Sequence, residues 1–399
     1  MVTYPSDWKK TTVGDESHLI TKGTTPKSYT RFGAVNFVKV ESIVHGEIMS
    51  SKVAHISTET HLRELRRSIL QENDLLISIA ATLGITAVVN RNLLPANTNQ
   101  ALAIARFKNP EIVLFVKALL TQTETQKYFS SLSTTSAQAN LSLKQVADIP
   151  IVLPEEPEQR AISVVLSRFD EHLANLDELI TKKKAIRDGA LETLVSGRQR
   201  LSGFTGYWRD TTLGAIATMN PVTPLPDTFT YVDLESVQGT EMVTSRRVDK
   251  IAAPSRAQRL ASSGDIFFQT VRPYQRNNYF FKSSAKDVVF STGYVQIRTQ
   301  EVPEFLFAAV QQNHFIDQVL ERCTGTSYPA ITPTALKEVS VRLPKSHSEQ
   351  RAIAEVLSGM DEEIRLLAEE RAKVERLKLG AMDDLLTGRV RLTLGKEAA

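Results

Sequence analysis

The chain has 399 residues, 42% hydrophobic and 23% charged, enough apolar content for more than one buried core. Its single cysteine, Cys323, excludes an internal disulfide and a cysteine-based metal cluster. Basic residues exceed acidic ones by 48 to 45, a net charge of +3 that does not by itself establish a polyanion partner, although most of the surplus falls in residues 1–154.

The N-terminal "MVTYPSDWKKTT" lacks the charged-then-apolar order of a signal peptide. The run "IVLFVKALL" (112–120) is broken by Lys117 and falls well short of the ~18 apolar residues of a membrane span. A cytoplasmic setting is therefore expected. Residues 1–154 read as a first mixed α/β unit, opened by "WKKTTVG" (8–14). The Gly/Pro loop "TKGTTPKSYTR" (21–31) offers Lys22, Lys27, Tyr29 and Arg31 as DNA contacts, because basic side chains meet phosphates and hydroxyls meet backbone oxygens. "LRELRR" (62–67) is a weaker candidate, since basic residues on a helix usually face solvent; Arg91 is a similar case. "DLLISIAATLGITAVVN" (74–90) reads as a strand pair broken at Gly84, and "IPIVLP" (149–154) as a short strand running into a helix.

Residues 155–200 predict a first long helix. Ile162, Leu166, Phe169, Leu173, Leu176 and Ile180 step by alternating four and three, the spacing of a coiled-coil seam. Pro157 and the nearby glutamates suit its start, and Gly197 suits a left-handed stop. About 40 residues at ~1.5 Å each make a rod of roughly 60 Å. Such a rod needs a partner along its apolar stripe; packing on its own domain is the alternative.

Residues 201–344 form a second unit, opened by "WRDTTLG" (208–214), an echo of the first opening that places the chain's two tryptophans alike. "TVRPYQRNNYFF" (270–281) concentrates Arg272, Tyr274, Arg276, Asn277 and Asn278. Arginine reads guanine bidentately, asparagine reads adenine, and tyrosine reaches the backbone. The same residues would also suit a polar hairpin tip. Arg246, Arg247, Arg256 and Arg259 add charge nearby in sequence. "EFLFAAVQQNHFIDQVL" (304–320) predicts short helices, and "VSVRLP" (339–344) a closing strand.

Residues 345–393 predict a second long helix, leaving 394–399 as a tail. "SEQRAIAEVLSGMDEE" (348–363) nearly copies "PEQRAISVVLSRFDEH" (157–172), and the likeness continues to Gly197-Arg198 and Gly388-Arg389. Its seam is Ile353, Leu357, Met360, Ile364, Leu367 and Val374. Ser346 with Glu349 can form a capping box. The acids Asp170-Glu171 and Asp361-Glu362-Glu363 read as solvated charge, and His172 as a packing or solvent-facing residue beside the seam.

Enzyme signatures are missing. No phosphate loop, no G-x-G-x-x-G and no Asn/Asp-Pro-Pro-aromatic loop of a DNA aminomethylase occurs, and the seven histidines form no H-x-x-x-H pair. Catalysis by this chain, a cofactor and a metal are not expected.

The order of variable unit, "LP…EQRAI…LS…D" helix ending in Gly-Arg, variable unit and the same helix resembles the DNA-specificity subunit of type I restriction–modification systems. "GDIFFQTVRPY", "TTSAQANLSLKQVADIPIVLP" and "GTSYPAITPTALKEVSVRLP" add to the likeness, with Asn73 standing where the family usually has glycine. The resemblance implies an α+β fold with two target-recognition domains joined by an antiparallel coiled coil in a pseudo-twofold repeat. Each domain would read one half of an asymmetric, bipartite double-stranded DNA site. The implied partners are two copies of an adenine-N6 methyltransferase subunit using S-adenosylmethionine, and a translocating endonuclease subunit. A bivalent coiled-coil adaptor between two proteins would show the same repeat and stands as the alternative.

Overall fold

The strand that opens each variable unit pairs with the strand that closes it. In the computed structural model, which describes residues 4–133 and 140–392, Lys9–Thr12 runs antiparallel to Pro150–Leu153, and Trp208–Thr212 to Ser340–Pro344. Both ends of each unit thus meet at the foot of a long helix. The tail 394–399 and the start of the "TTSAQAN" segment (134–139) lie outside the described residues. The chain divides into two compact units, Met1–Leu176 with Glu370–Ala399, and Asp177–Glu369.

In the first unit, a four-stranded antiparallel sheet has the order Ser17–Lys22, Leu102–Phe107, Leu75–Ser78, Thr86–Val88. Beside it, Val35–Val38 lies between antiparallel Ala54–Ile56 and parallel Ala96–Thr98. The run around Lys117 is a helix, Val113–Thr121, whose Phe115, Val116 and Leu120 are fully buried in the core. The second unit repeats this plan with one strand more in its second sheet. Ala217–Met219, Tyr294–Thr299, Ile266–Gln269 and Tyr279–Phe280 form the first sheet. The second has the order Arg246–Asp249, Thr228–Val232, Val288–Ser291, Ala257–Leu260, with the middle pair parallel. The expected short helices are Pro303–Ala309 and Asn313–Glu321.

One ion pair marks the shared plan. Asp74 and Asp265, both fully buried, sit at the turn before a central strand and each accepts a backbone N–H at 2.7 Å, from Gln71 and Ser262. Each also takes a two-pronged contact from an arginine on the neighbouring strand, Arg106 at 2.6 and 2.7 Å and Arg298 at 2.8 Å twice. Buried carboxylates require such full pairing. The residue before each aspartate is left-handed, Asn73 at φ 66° and Gly264 at φ 89°. Asparagine tolerates that region, which explains how it replaces glycine there.

The two long helices are Glu156–Leu194 and His347–Leu386, of 39 and 40 residues, and they pair antiparallel. In the first unit Asp170 meets Lys378 at 2.5 Å and His172 lies 3.8 Å from Glu370. In the second, Arg187 grips Asp361 at 2.8 and 3.2 Å and Lys183 meets Glu363 at 2.6 Å. Asp170 and Asp361 are repeat equivalents, as are Arg187 and Lys378. Each copy therefore offers its aspartate to the other copy's cation. These aspartates are interhelical partners rather than plain solvated charge, a role the local sequence does not show because the cations are distant along the chain. Glu362 instead pairs within its helix, with Arg365.

The helix ends explain the repeated "EQR" and "GR" motifs. Arg391, after the second helix, binds Glu158 at the start of the first at 2.6 and 2.7 Å. Arg200, after the first, binds Glu349 at the start of the second at 2.8 Å twice, and Trp208 Nε1 donates to the same carboxylate at 3.2 Å. Glu349 is thus 1% exposed and committed to Arg200, so the capping box with Ser346 does not form. Gln159 and Gln350 each donate to the carbonyl of the proline of the Leu-Pro that closes the variable unit, Pro154 and Pro344, at 2.7 and 2.8 Å. Gly197 and Gly388 are left-handed as expected, at φ 73° and 70°, and a Cβ on either would lie 3.1 Å from a tryptophan ring. Helix ends also enter the domain cores: Ile162, Leu166, Met382 and Leu385 in the first unit, Leu191, Leu194, Ile353 and Leu357 in the second.

Candidate nucleic-acid interface

The segment after Ile266–Gln269 is the richest candidate surface of the second unit. Pro273–Gln275 forms a 3-10 turn flanked by two left-handed residues, Arg272 at φ 53° and Arg276 at φ 56°. Such backbone costs on the order of 1 kcal/mol or more per residue and persists where neighbours hold it. The holding contacts are visible. Buried Gln269 donates to Val271 O at 2.7 Å and to Gln275 Oε1 at 2.9 Å, and accepts from Asn277 N at 3.1 Å. The loop borders a concavity of about 420 Å³ lined by Gln238, Gln275, Asn277, Arg272 and Tyr328. Amides, a guanidinium and a phenol are donors and acceptors of the kind that read base edges.

The five sequence candidates of this loop have different surroundings. Tyr274 is exposed, and Arg272 lies over the Tyr328 ring. Arg276 donates to Gln311 O at 3.1 Å and Asn313 Oδ1 at 2.6 Å, which ties it to the scaffold. Asn277 accepts from Gly239 N at 2.8 Å, joining the loop to the hairpin Val237–Met242. Asn278 departs from expectation. It is 1% exposed, accepts from Gln269 N at 2.8 Å and donates to Gln311 Oε1 at 3.2 Å, so its amide shapes the loop and is unavailable to DNA.

The other arginines lie on opposite edges of the second sheet. Arg246 and Arg247 are exposed on one edge strand; Arg246 stacks over Tyr231 at 5.4 Å and Arg247 pairs with Asp287. That guanidinium holds the Asp287 carboxyl below the usual carboxylate range. Arg256 and Arg259 belong to the other edge. Arg256 is exposed, while Arg259 is half-buried with an unpartnered Nε, and burial lowers its affinity for its proton. The four arginines therefore do not form one patch, and Arg259 is the least exposed of them.

In the first unit Lys22, the last residue of the strand Ser17–Lys22, and Lys27, Tyr29 and Arg31 on the loop after it are all exposed. Tyr29 packs edge-on against Phe37 at 5.5 Å and under Lys39 at 5.0 Å, while Arg31 lies 5.5 Å from the ring of Phe32, itself 83% exposed. The weaker candidate "LRELRR" (62–67) lies beside this loop. The segment is two short turns, Thr60–Glu64 and Arg66–Ser68, rather than a regular helix, and it abuts this loop: Lys27 N donates to Glu64 at 2.9 Å and Arg67 to Thr24 Oγ1 at 3.3 Å. Exposed Arg66 and Arg67 thereby join the basic group. Arg91, exposed on the turn Arg91–Leu93, makes no described bond to it.

The two units thus carry their candidate loops at different places in the same topology. The first uses the loop after its edge strand, where the second has "NPVTPLPD" (220–227) without a basic residue. The second uses the loop after its central strand, where the first has the neutral "IAATLG" (79–84). Among the described residues no cluster of metal-ligating side chains occurs, and no helix is long and apolar enough to cross a membrane.

Known proteins match this arrangement. A putative type I restriction enzyme MjaX specificity subunit of Methanocaldococcus jannaschii is 22% identical over 97% of this chain and 95% of its own. The MjaVIII specificity subunit of the same organism is 32% identical over 89 residues, 22% of this chain and 21% of its own. Among solved structures, the S subunit of a type I restriction–modification system from M. genitalium superposes with a TM-score of 0.61 over 99% of both chains at 16% identity. A chain from a study of complex assembly and conformational transition of the type I R-M system gives 0.58 over 97% of this chain and all of its own, at 17% identity. These likenesses bear out the α+β fold of two mixed domains joined by a coiled coil. The family model described as type I restriction modification DNA specificity domain matches residues 5–185 and 249–376, most of the sequence, and the chain belongs to that family.

Proposed function

We propose that this chain, a non-catalytic DNA-recognition subunit of a type I restriction–modification system, reads an asymmetric bipartite site, one half with each variable unit. The observation that carries the reading is the pairing of one strand order with two unlike contact loops, basic and tyrosine-bearing at 22–31 and 66–67, arginine- and amide-bearing at 272–277. Equal scaffolds support two readings of DNA in equivalent ways; unequal loops favour different sequences. Lys22, Lys27, Arg31 and Arg91 are assigned to the first half-site, Arg246, Arg247 and Arg256 to phosphates, and Arg272, Tyr274 and Asn277 to the second half-site. The repeated helix ends offer two like surfaces, which suits two copies of an adenine-N6 methyltransferase subunit. In that assignment S-adenosylmethionine, base flipping and methyl transfer belong to the partner, an endonuclease subunit joins for cleavage, and the complex works in the cytoplasm. The test is methylome sequencing of the host with and without this gene. Loss of one two-part adenine motif is expected; an unchanged methylome would overturn the reading.

A further inference from the structure

The segment "GTSYPAIT" (325–332), whose Tyr328 is given no half-site role above, straps the loop that bears Arg272. Arg272 N donates to Pro329 O at 2.7 Å, Ile331 N to Thr270 O at 3.0 Å, and Thr324 and Ala330 exchange backbone bonds at 2.9 and 3.0 Å. Gly325 makes the return possible at φ 89°, where a Cβ would press within 3.1 Å of Tyr328 O. This strap fixes Tyr328 beside the left-handed Arg272, whose guanidinium carbon lies 4.3 Å from the ring centroid. The ring is 63% exposed, so core packing does not account for it. Among the described residues Arg272 forms no ion pair, and its Nε is buried without a partner on the wall of the 420 Å³ concavity.

We propose that Tyr328 is a positioning residue for specificity, holding Arg272 aimed at one guanine of the second half-site. The inference rests on the DNA-reading role proposed above. A carboxylate would hold an arginine more strongly, but it would occupy the same N–H donors that DNA must meet. An aromatic face grips the guanidinium through its flat side and leaves the in-plane donors free. Guanine presents two acceptors, O6 and N7, in the geometry of that fork. The left-handed backbone and the stacked ring together remove rotamer freedom before DNA arrives, so less is lost on binding.

The test uses the full chain with its methyltransferase subunit and a duplex carrying the site mapped in the host methylome. Companion duplexes replace each G·C pair of the second half-site by A·T. Tyr328→Ala should reduce preference at one position by about two- to thirtyfold, the span from an exposed cation–π contact to one desolvated by bound DNA. Arg272→Ala should abolish preference at that same position, and the double variant should be no worse than Arg272→Ala alone. Tyr328→Phe should behave as wild type, while Tyr328→Leu should not. Tyr328→Ala weakening all duplexes equally, or acting at a different position from Arg272→Ala, would overturn the inference, as would Leu serving as well as Phe. A wild-type complex with no base preference in this half-site would instead remove the DNA-reading role itself.

Discussion

Arg272 and Asn278 lie in one loop, and both are residue types that read bases, but the amide of Asn278 is buried and committed within the loop. Arg272→Ala should cost about 1–3 kcal/mol of discrimination at one position of one half-site, with the other half-site unaffected. Competition binding against singly substituted duplexes measures this. Asn278→Ala should act on folding instead. It strands the Gln269 N–H and the buried Gln311 amide, a loss of about 1–3 kcal/mol that urea unfolding would register. The sequence does not separate these cases, because the amide that reads adenine is the same group that satisfies a buried backbone. Asn73 is the opposite case. It stands where the family usually has glycine, and the structure supplies the reason: its backbone is left-handed, at φ 66°.

At the scale of the element, the long helices were the most legible part of the chain. Their three-and-four apolar spacing, their stops at Gly197 and Gly388 and their likeness to each other all point to the observed pair. The capping box expected of Glu349 gives way to Arg200, a partner 149 residues away that no local motif reveals. Removing Arg200 should therefore be costly: Arg200→Met leaves a carboxylate that is 1% exposed without its ion pair, a loss of about 3 kcal/mol seen as a lower midpoint in chemical denaturation. The antiparallel contacts also set where the rod can be lengthened in register. With Asp170 opposite Lys378 and Arg187 opposite Asp361, four-residue insertions match when placed after Ile180 and after Leu367. Each adds about 6 Å of helix. If these helices set the spacing of the half-sites, the unread gap should grow by roughly two base pairs, with weaker activity because four residues overshoot a whole turn by about 40°. Methylation at the original spacing by a folded insertion variant would point to a different ruler.

For the whole molecule, the doubled plan of variable unit and helix was legible, while the common strand order of the two variable units was not. Short strands of unlike sequence satisfy the same topology, since burial alternation and turns, not residue identity, set pairing. The basic group around residues 22–31 and 66–67 was likewise hidden, because it forms only when two separated segments fold together. Binding that depends on these cations should weaken steeply as salt rises from about 50 to 200 mM, through release of counterions from phosphates. A flat response in titrations of the assembled complex would mean that the basic residues do not face phosphates.

The paired carboxylates and arginines at the helix ends bear on inheritance. Glu158 with Arg391, and Glu349 with Arg200, are one fastening written twice, so a stretch such as 201–344 is bounded on both sides by nearly the same code. Recombination between two such genes at the repeats would exchange an entire reading surface and leave both fastenings intact. A cell could thus acquire a new address on DNA in one genetic step, without redesigning the frame that carries it.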